Sequence, residues 1–167
     1  MAKYQELWES FDDSTVIGYK DTEASDGRFL SADSQEVADW IALGNTPDPA
    51  YTLAEMKAAA IAKCEQILDA KTAEPFSYGG HEYQSGPGHK HGLVMRLYAK
   101  DKSASVKALQ TDGTVNTVAD TEAADFLDSW GDRDDLIMDH YEVAVDDIND
   151  AENLTAIIAA VATFEAS

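Results

Sequence analysis

The hexapeptide GNTPDP, residues 44–49, constrains the fold of this chain more than any other stretch. Gly44 sits where the end of a helix favours a left-handed residue, so whatever helix precedes it stops there. Pro47 and Pro49 have no amide hydrogen and a fixed φ, so neither a helix nor a central strand can run through them. The sequence is therefore read as two parts: an N-terminal docking and connecting segment of residues 1–50, and a compact C-terminal domain of residues 51–167.

Upstream of the break, SADSQEVADWIALG reads as a short helix. Asp33 or Ser34 is placed to cap its start, and Val37, Trp40 and Ile41 share one face. Before it, WESFDDSTVIGYKD mixes aromatic and β-branched residues in short runs, which predicts one or two short strands. Downstream, Thr52 and Glu55 have the spacing of a capping box, in which each side chain answers a free backbone N–H. Met56, Ala60, Cys64 and Ile67 come next at helical spacing. Cys64 lies on that apolar stripe with no sequence-local base, so it reads as a structural thiol rather than a nucleophile. As the single cysteine it forms no internal disulfide.

PFSYGGHEYQ predicts a hairpin turning on Gly79-Gly80, and SVKALQTDGTVNTV a second one turning on Asp112-Gly113. LVMRLYAKDKSA between them is read as a helix. Asp120 is expected to cap TEAADFLDSW, with Ala123, Phe126, Leu127 and Trp130 on one side. DDLIMDHYEVAVDDIND and AENLTAIIAAVATFEA close the chain as two more helices, the last with a stripe of Leu154, Ile157, Ile158, Val161 and Phe164. The fold class is α+β: a short-stranded N-terminal arm, then a mainly helical domain with two small β-hairpins.

Charge narrows the function. Against 32 Asp and Glu stand 12 Lys and Arg, a net of −20, divided as −8 in residues 1–50 and −12 in the remainder. A field of that sign repels phosphate backbones, so nucleic acid is not expected as a partner, and it disfavours anionic membrane surfaces; no membrane insertion is expected. A solvated surface, a saline habitat and cation binding all remain as sources of the acidity. No window approaches the ~18 apolar residues of a membrane span, and MAKYQELWESFDD lacks the features of a signal peptide, so synthesis in a cytoplasm is expected.

No phosphate-binding glycine loop, dinucleotide fingerprint, nucleophile elbow or H-E-x-x-H spacing occurs, and no pair of carboxylates is singled out by its spacing; the chain is not read as an enzyme. A hydrolase of cell-surface glycans is permitted by the acidity but carried by no motif. The one constellation with metal-ligand character is GGHEYQSGPGHKHG. In an extended segment His89 and His91 face the same way and can share a cation. Two ligands rarely suffice, so His81, Glu82, His140 or equivalent pairs from other copies would have to complete the set. The alternative is a glycine-rich connector whose imidazoles face water. DDINDAEN offers oxygens suited to calcium, but lacks the glycine and distal glutamate of an EF-hand loop.

The stretch GRFLSADSQEVADWIALGNTPDPAYTLAEMKAAAIAKCEQIL resembles one common in tail-region proteins of bacteriophages. Gly27, Phe29, Asp33, Trp40, Gly44, Asn45, Thr46, Pro47 and Pro49 carry the likeness. The chain beyond that stretch is similar to the small C-terminal domain of unassigned function found in such proteins, through Phe76, Tyr78, Gly80 and Tyr83. It departs from that pattern at SGPGHKHG, which stands where an aspartate-containing polar segment is usual. The resemblance implies a structural component of a phage tail, a fibre or baseplate-peripheral subunit in the virion, acting by protein–protein attachment and serving host recognition. The alternative is a fibre-assembly chaperone absent from the mature particle. It implies other tail proteins as partners and a homo-oligomer, with a trimer favoured. His-x-His elements at phage fibre and spike tips hold iron on a threefold axis, which would give His89 and His91 an iron or other divalent cation; otherwise no cofactor is expected. The expected partner contacts are Trp8, Phe11 and Tyr19 in the arm, with Trp40 packed inward.

Overall fold

The structure is a computed structural model that describes residues 2–10, 13–85 and 105–167. Its elements run β1 (Tyr4–Ser10), β2 (Asp13–Asp21), β3 (Phe29–Ser31), α1 (Gln35–Ala42), α2 (Leu53–Ala73), β4 (Phe76–Tyr78), β5 (His81–Tyr83), β6 (Val106–Leu109), β7 (Val115–Val118), α3 (Ala123–Asp150) and α4 (Leu154–Ala166). The class is α+β, as expected. The helix expected over LVMRLYAKDKSA lies outside the described residues.

Two compact units emerge, and their division does not coincide with the sequence break at residue 50. The first comprises Met1–Ala62 and Asp147–Val161; the second comprises Lys63–Asp146 and Ala162–Ser167.

In the first unit, β1, β2 and β3 form an antiparallel sheet in that order. The register Tyr4↔Asp21, Glu6↔Tyr19 and Tyr19↔Leu30 places these side chains on one face. Between Leu7↔Gly18 and Trp8↔Val16 the register shifts, leaving Ile17 as the extra residue of a bulge. α1 seats on the Tyr4 side: Tyr4 is fully buried, its ring 5.1 Å from Trp40 in an edge-on pair, and its hydroxyl donates to Glu36 Oε1 at 2.7 Å. Val37 is buried and Trp40 half-buried, but Ile41 is exposed. An eight-residue helix seated by Val37 and Trp40 turns Ile41 off the edge of the sheet, which corrects the expected three-residue face. Ser34 holds the N-cap position with extended backbone but makes no side-chain cap bond, while Asp33 accepts from the Ser31 hydroxyl.

The GNTPDP turn closes this sheet. Gly44 takes φ 87°, and Asn45 Nδ2 donates to the Trp40 carbonyl at 2.9 Å. Of Pro47-Asp48-Pro49 only Asp48 has an amide hydrogen, and it donates that hydrogen to Tyr4 O at 2.9 Å. Asp48 O accepts from the Glu6 amide at 2.8 Å, a one-residue parallel bridge on the free edge of β1. α2 then opens on the expected box: the Thr52 amide donates to Glu55 Oε2 at 2.8 Å and the Glu55 amide to Thr52 Oγ1 at 3.3 Å.

In the second unit β4 and β5 turn on Gly79 and Gly80, at φ 57° and 80°. β6 and β7 form the other hairpin. A Tyr83↔Gln110 bridge joins the two, and the Gln84 amide donates to Leu109 O at 2.9 Å. α3 covers this surface. Phe126 and Trp130 pack with Phe76, Tyr83, Val106, Ala108, Val118 and Ala123. Trp130 stacks on Phe76 at 5.3 Å, and Phe126 meets Tyr83 edge-on at 5.0 Å. Each such pair contributes about 0.5–1.5 kcal/mol beyond the area it buries.

Two expectations for this region are corrected. Asp120 does not cap a helix: its carboxylate accepts from the neighbouring Thr121 amide, and α3 starts at Ala123. TEAADFLDSW and DDLIMDHYEVAVDDIND are not separate helices but parts of the 28-residue α3, which runs through Gly131. Gly131 lacks the left-handed φ of a helix stop, and no proline comes after it. The buried turn through Phe126 and Trp130 carries the helix across it.

Candidate attachment surface

Trp8 and Tyr19, expected as partner contacts, are both half-buried. Trp8 Nε1 donates to Glu6 Oε2 at 2.9 Å, and its ring lies 6.0 Å from Tyr51. Tyr19 shares the β1–β2–β3 face with Glu6 and Leu30. Phe11, His89 and His91 lie outside the described residues. His81 sits on β5 with Nδ1 3.1 Å from Gln110 Oε1, in the bridge between the hairpins. His140 is on α3. Among the described residues no group of three or more His, Cys, Asp or Glu side chains is gathered for a metal ion.

The densest polar cluster is a clasp in the first unit. Arg28 Nη2 lies 3.1 Å from Asp21 Oδ2 and 2.8 Å from Glu36 Oε1, tying the end of β2 to α1. Lys3 Nζ approaches the same Glu36 oxygen at 3.5 Å. Asp21 is buried and accepts the Glu23 amide at 3.0 Å and the Ala24 amide at 3.1 Å. Burial alone would raise its pKa, but those two amides and Arg28 outweigh it and hold the carboxyl below the usual range. Glu36 is held low by the Tyr4 hydroxyl and then by Arg28. Each carboxylate here is stabilised as an anion and satisfied by donors within its own module, which suits it to fastening β1, β2 and α1 together.

The apolar side chains that do face water differ from those chosen from the sequence. In the first unit Phe29 is 69% exposed and Leu43 is 82% exposed, with Ile17 and Ile41 also outward. In the second unit Val115 on β7 and Leu136, Met138 and Val143 on α3 are exposed. Phe29 carried a usable signal: in the three-residue β3 the side chains alternate, and with Leu30 facing Tyr19 both neighbours must point away. Leu43 gave a weaker one, as the residue immediately before the helix-ending Gly44.

Comparison with protein-family models, with curated proteins and with solved structures gives no match.

Proposed function

We propose that this chain is a structural component of a phage tail, a fibre or baseplate-peripheral subunit that works by attachment to other tail proteins. One observation carries the reading: the residues bearing the resemblance to tail-region proteins build one small folding module. Gly44 ends α1, Asn45 caps the Trp40 carbonyl, and Asp48 closes the edge of β1. Those positions serve architecture, and the module they close presents Phe29 and Leu43 to solvent as the apolar contacts an attaching subunit needs. These two replace Trp8 and Tyr19 as the favoured contacts, because the latter are half-covered within the chain itself.

Quantitative mass spectrometry of purified particles tests the proposal. The chain is expected in stoichiometric amount with the other tail proteins. Absence from finished particles, with presence in tail-assembly intermediates, would replace it with the chaperone reading. The homo-oligomer is tested by sedimentation of the purified chain, where Phe29→Ser and Leu43→Ser should weaken association if those residues form the contact.

A further inference from the structure

We infer that the outward face of α3 is a docking surface for a basic amphipathic helix of a partner protein. Leu136 and Val143 lie seven residues apart, two helical turns, and so share one stripe; they are 55% and 58% exposed. Exposed carboxylates run alongside them on one flank: Asp128 and Asp132, Asp135 and Asp139, Glu142 and Asp146 are pairs four residues apart along the same helix. Like charges at that spacing repel, so cations seated along this face reduce their mutual repulsion. The single Lys or Arg of the helix is Arg133, whose Nη1 lies 3.9 Å from Asp134 Oδ1. Arg133 turns inward, with Nη1 donating to Ser85 Oγ at 3.0 Å and Nη2 to Lys71 O at 2.5 Å.

Charge complementarity selects the occupant. A second copy of this chain would bring another net −20 against the acidic face. A helix with apolar residues at seven-residue spacing, flanked by Lys and Arg, seats its apolar side chains between Leu136 and Val143. It also places cations against the carboxylate pairs, so both interactions favour the same ligand. This deepens the attachment reading by naming the chemistry of one partner, and its test needs no virion, so the two can fail separately.

The probe is a fluorescent model peptide roughly three heptads long, with leucine at the two seam positions and lysine or arginine elsewhere. The control has the same composition with its leucines dispersed. Anisotropy titration of the full chain should show the heptad peptide bound at least about tenfold more tightly than the control. Leu136→Ser combined with Val143→Ser should abolish that difference while leaving circular dichroism unchanged, since both side chains are exposed. Equal affinity for the two peptides would reduce the effect to polyelectrolyte attraction and overturn the proposal. So would undiminished binding by the double variant, or self-association of the chain that the double variant removes.

Discussion

Two glycines, one in each compact unit, should respond to alanine in opposite directions. Gly131 lies inside α3 without a left-handed φ, and a Cβ built there meets nothing within 4 Å. Alanine removes conformational freedom from the unfolded chain and adds no clash, a gain of about 0.5–1 kcal/mol. For a chain of this size that corresponds to a rise in Tm of roughly 1–4 °C. Gly18 is the reverse case. A Cβ on it would lie 2.8 Å from the Leu30 carbonyl oxygen, which is backbone and cannot rotate away. β3 would have to shift by several tenths of an ångström, disturbing the Tyr19↔Leu30 pairing beside it. Overpacking of this kind costs about 1–3 kcal/mol. Urea unfolding followed by far-ultraviolet circular dichroism and tryptophan fluorescence measures both variants; should the units unfold separately, each substitution moves one transition. A neutral or destabilising Gly131→Ala would mean that α3 is broken at that glycine. A harmless Gly18→Ala would mean that β3 does not lie against β2 as described.

Asp21 and Glu36 both titrate below the ordinary carboxylate range when folded. The stability they contribute is therefore present above their unfolded pKa and is lost as pH falls through the folded values, below about pH 4. The urea midpoint of the first unit should drop across that window, and Asp21→Asn should flatten the drop; an unchanged slope in the variant refutes the clasp. Tyr78 donates to Asp125 Oδ2 at 2.7 Å, and this bond, followed by burial, pushes the phenol up to about 12. Ultraviolet titration should show one tyrosine ionising about there in the wild type and earlier in Asp125→Asn; identical curves would show that the bond does not form. Burial raises the Cys64 thiol above its ordinary value. Iodoacetamide near pH 8 should leave it unmodified in the native chain and label it in denaturant, whereas rapid native labelling would place it at the surface.

Local signals in the sequence proved the legible ones. The Thr52–Glu55 box, the Gly79-Gly80 turn and the stripe of Met56, Ala60, Cys64 and Ile67 each depend on neighbours within a few residues; the box and the turn take the expected form, and the stripe is buried at its first three residues and half-buried at Ile67. Misreadings arose where tertiary packing decided. TEAADFLDSW and DDLIMDHYEVAVDDIND read as two helices, yet the burial of Phe126 and Trp130 on the hairpins carries α3 through Gly131 between them. Ile41 has helical spacing with Val37 but loses its place to Trp40, whose ring meets Tyr4. The outward Phe29 and Leu43 are legible only in part: the alternation of β3 and the position before Gly44 hint at them, but their exposure is set by the sheet and the turn around them. The clasp was equally hidden, since Lys3, Asp21, Arg28 and Glu36 converge from four separate stretches of chain.

How the first 50 residues gain their order bears directly on attachment. Their sheet is closed from within by Asp48, but their apolar content is small. Among the described residues of that stretch, only Tyr4 and Val37 are buried apolar side chains. The other buried apolar residues of the same compact unit lie further along: Met56 and Ala60 on α2, then Ile148, Ala151, Ile157, Ala160 and Val161 near the C-terminal end. Burying one large side chain contributes about 1.5–3 kcal/mol, far below the conformational entropy lost by ordering so many residues. Residues 1–50 made alone should therefore show narrow amide dispersion and no cooperative melting. A fusion that appends residues 51–62 and 147–161 should recover wide dispersion and cooperative melting, because it restores the rest of the unit. The missing core is thus supplied by the same chain, and an external partner is free to engage outward side chains such as Phe29 and Leu43. A dispersed, cooperatively melting monomer from residues 1–50 would break this argument, since two buried apolar side chains would then suffice to hold the sheet.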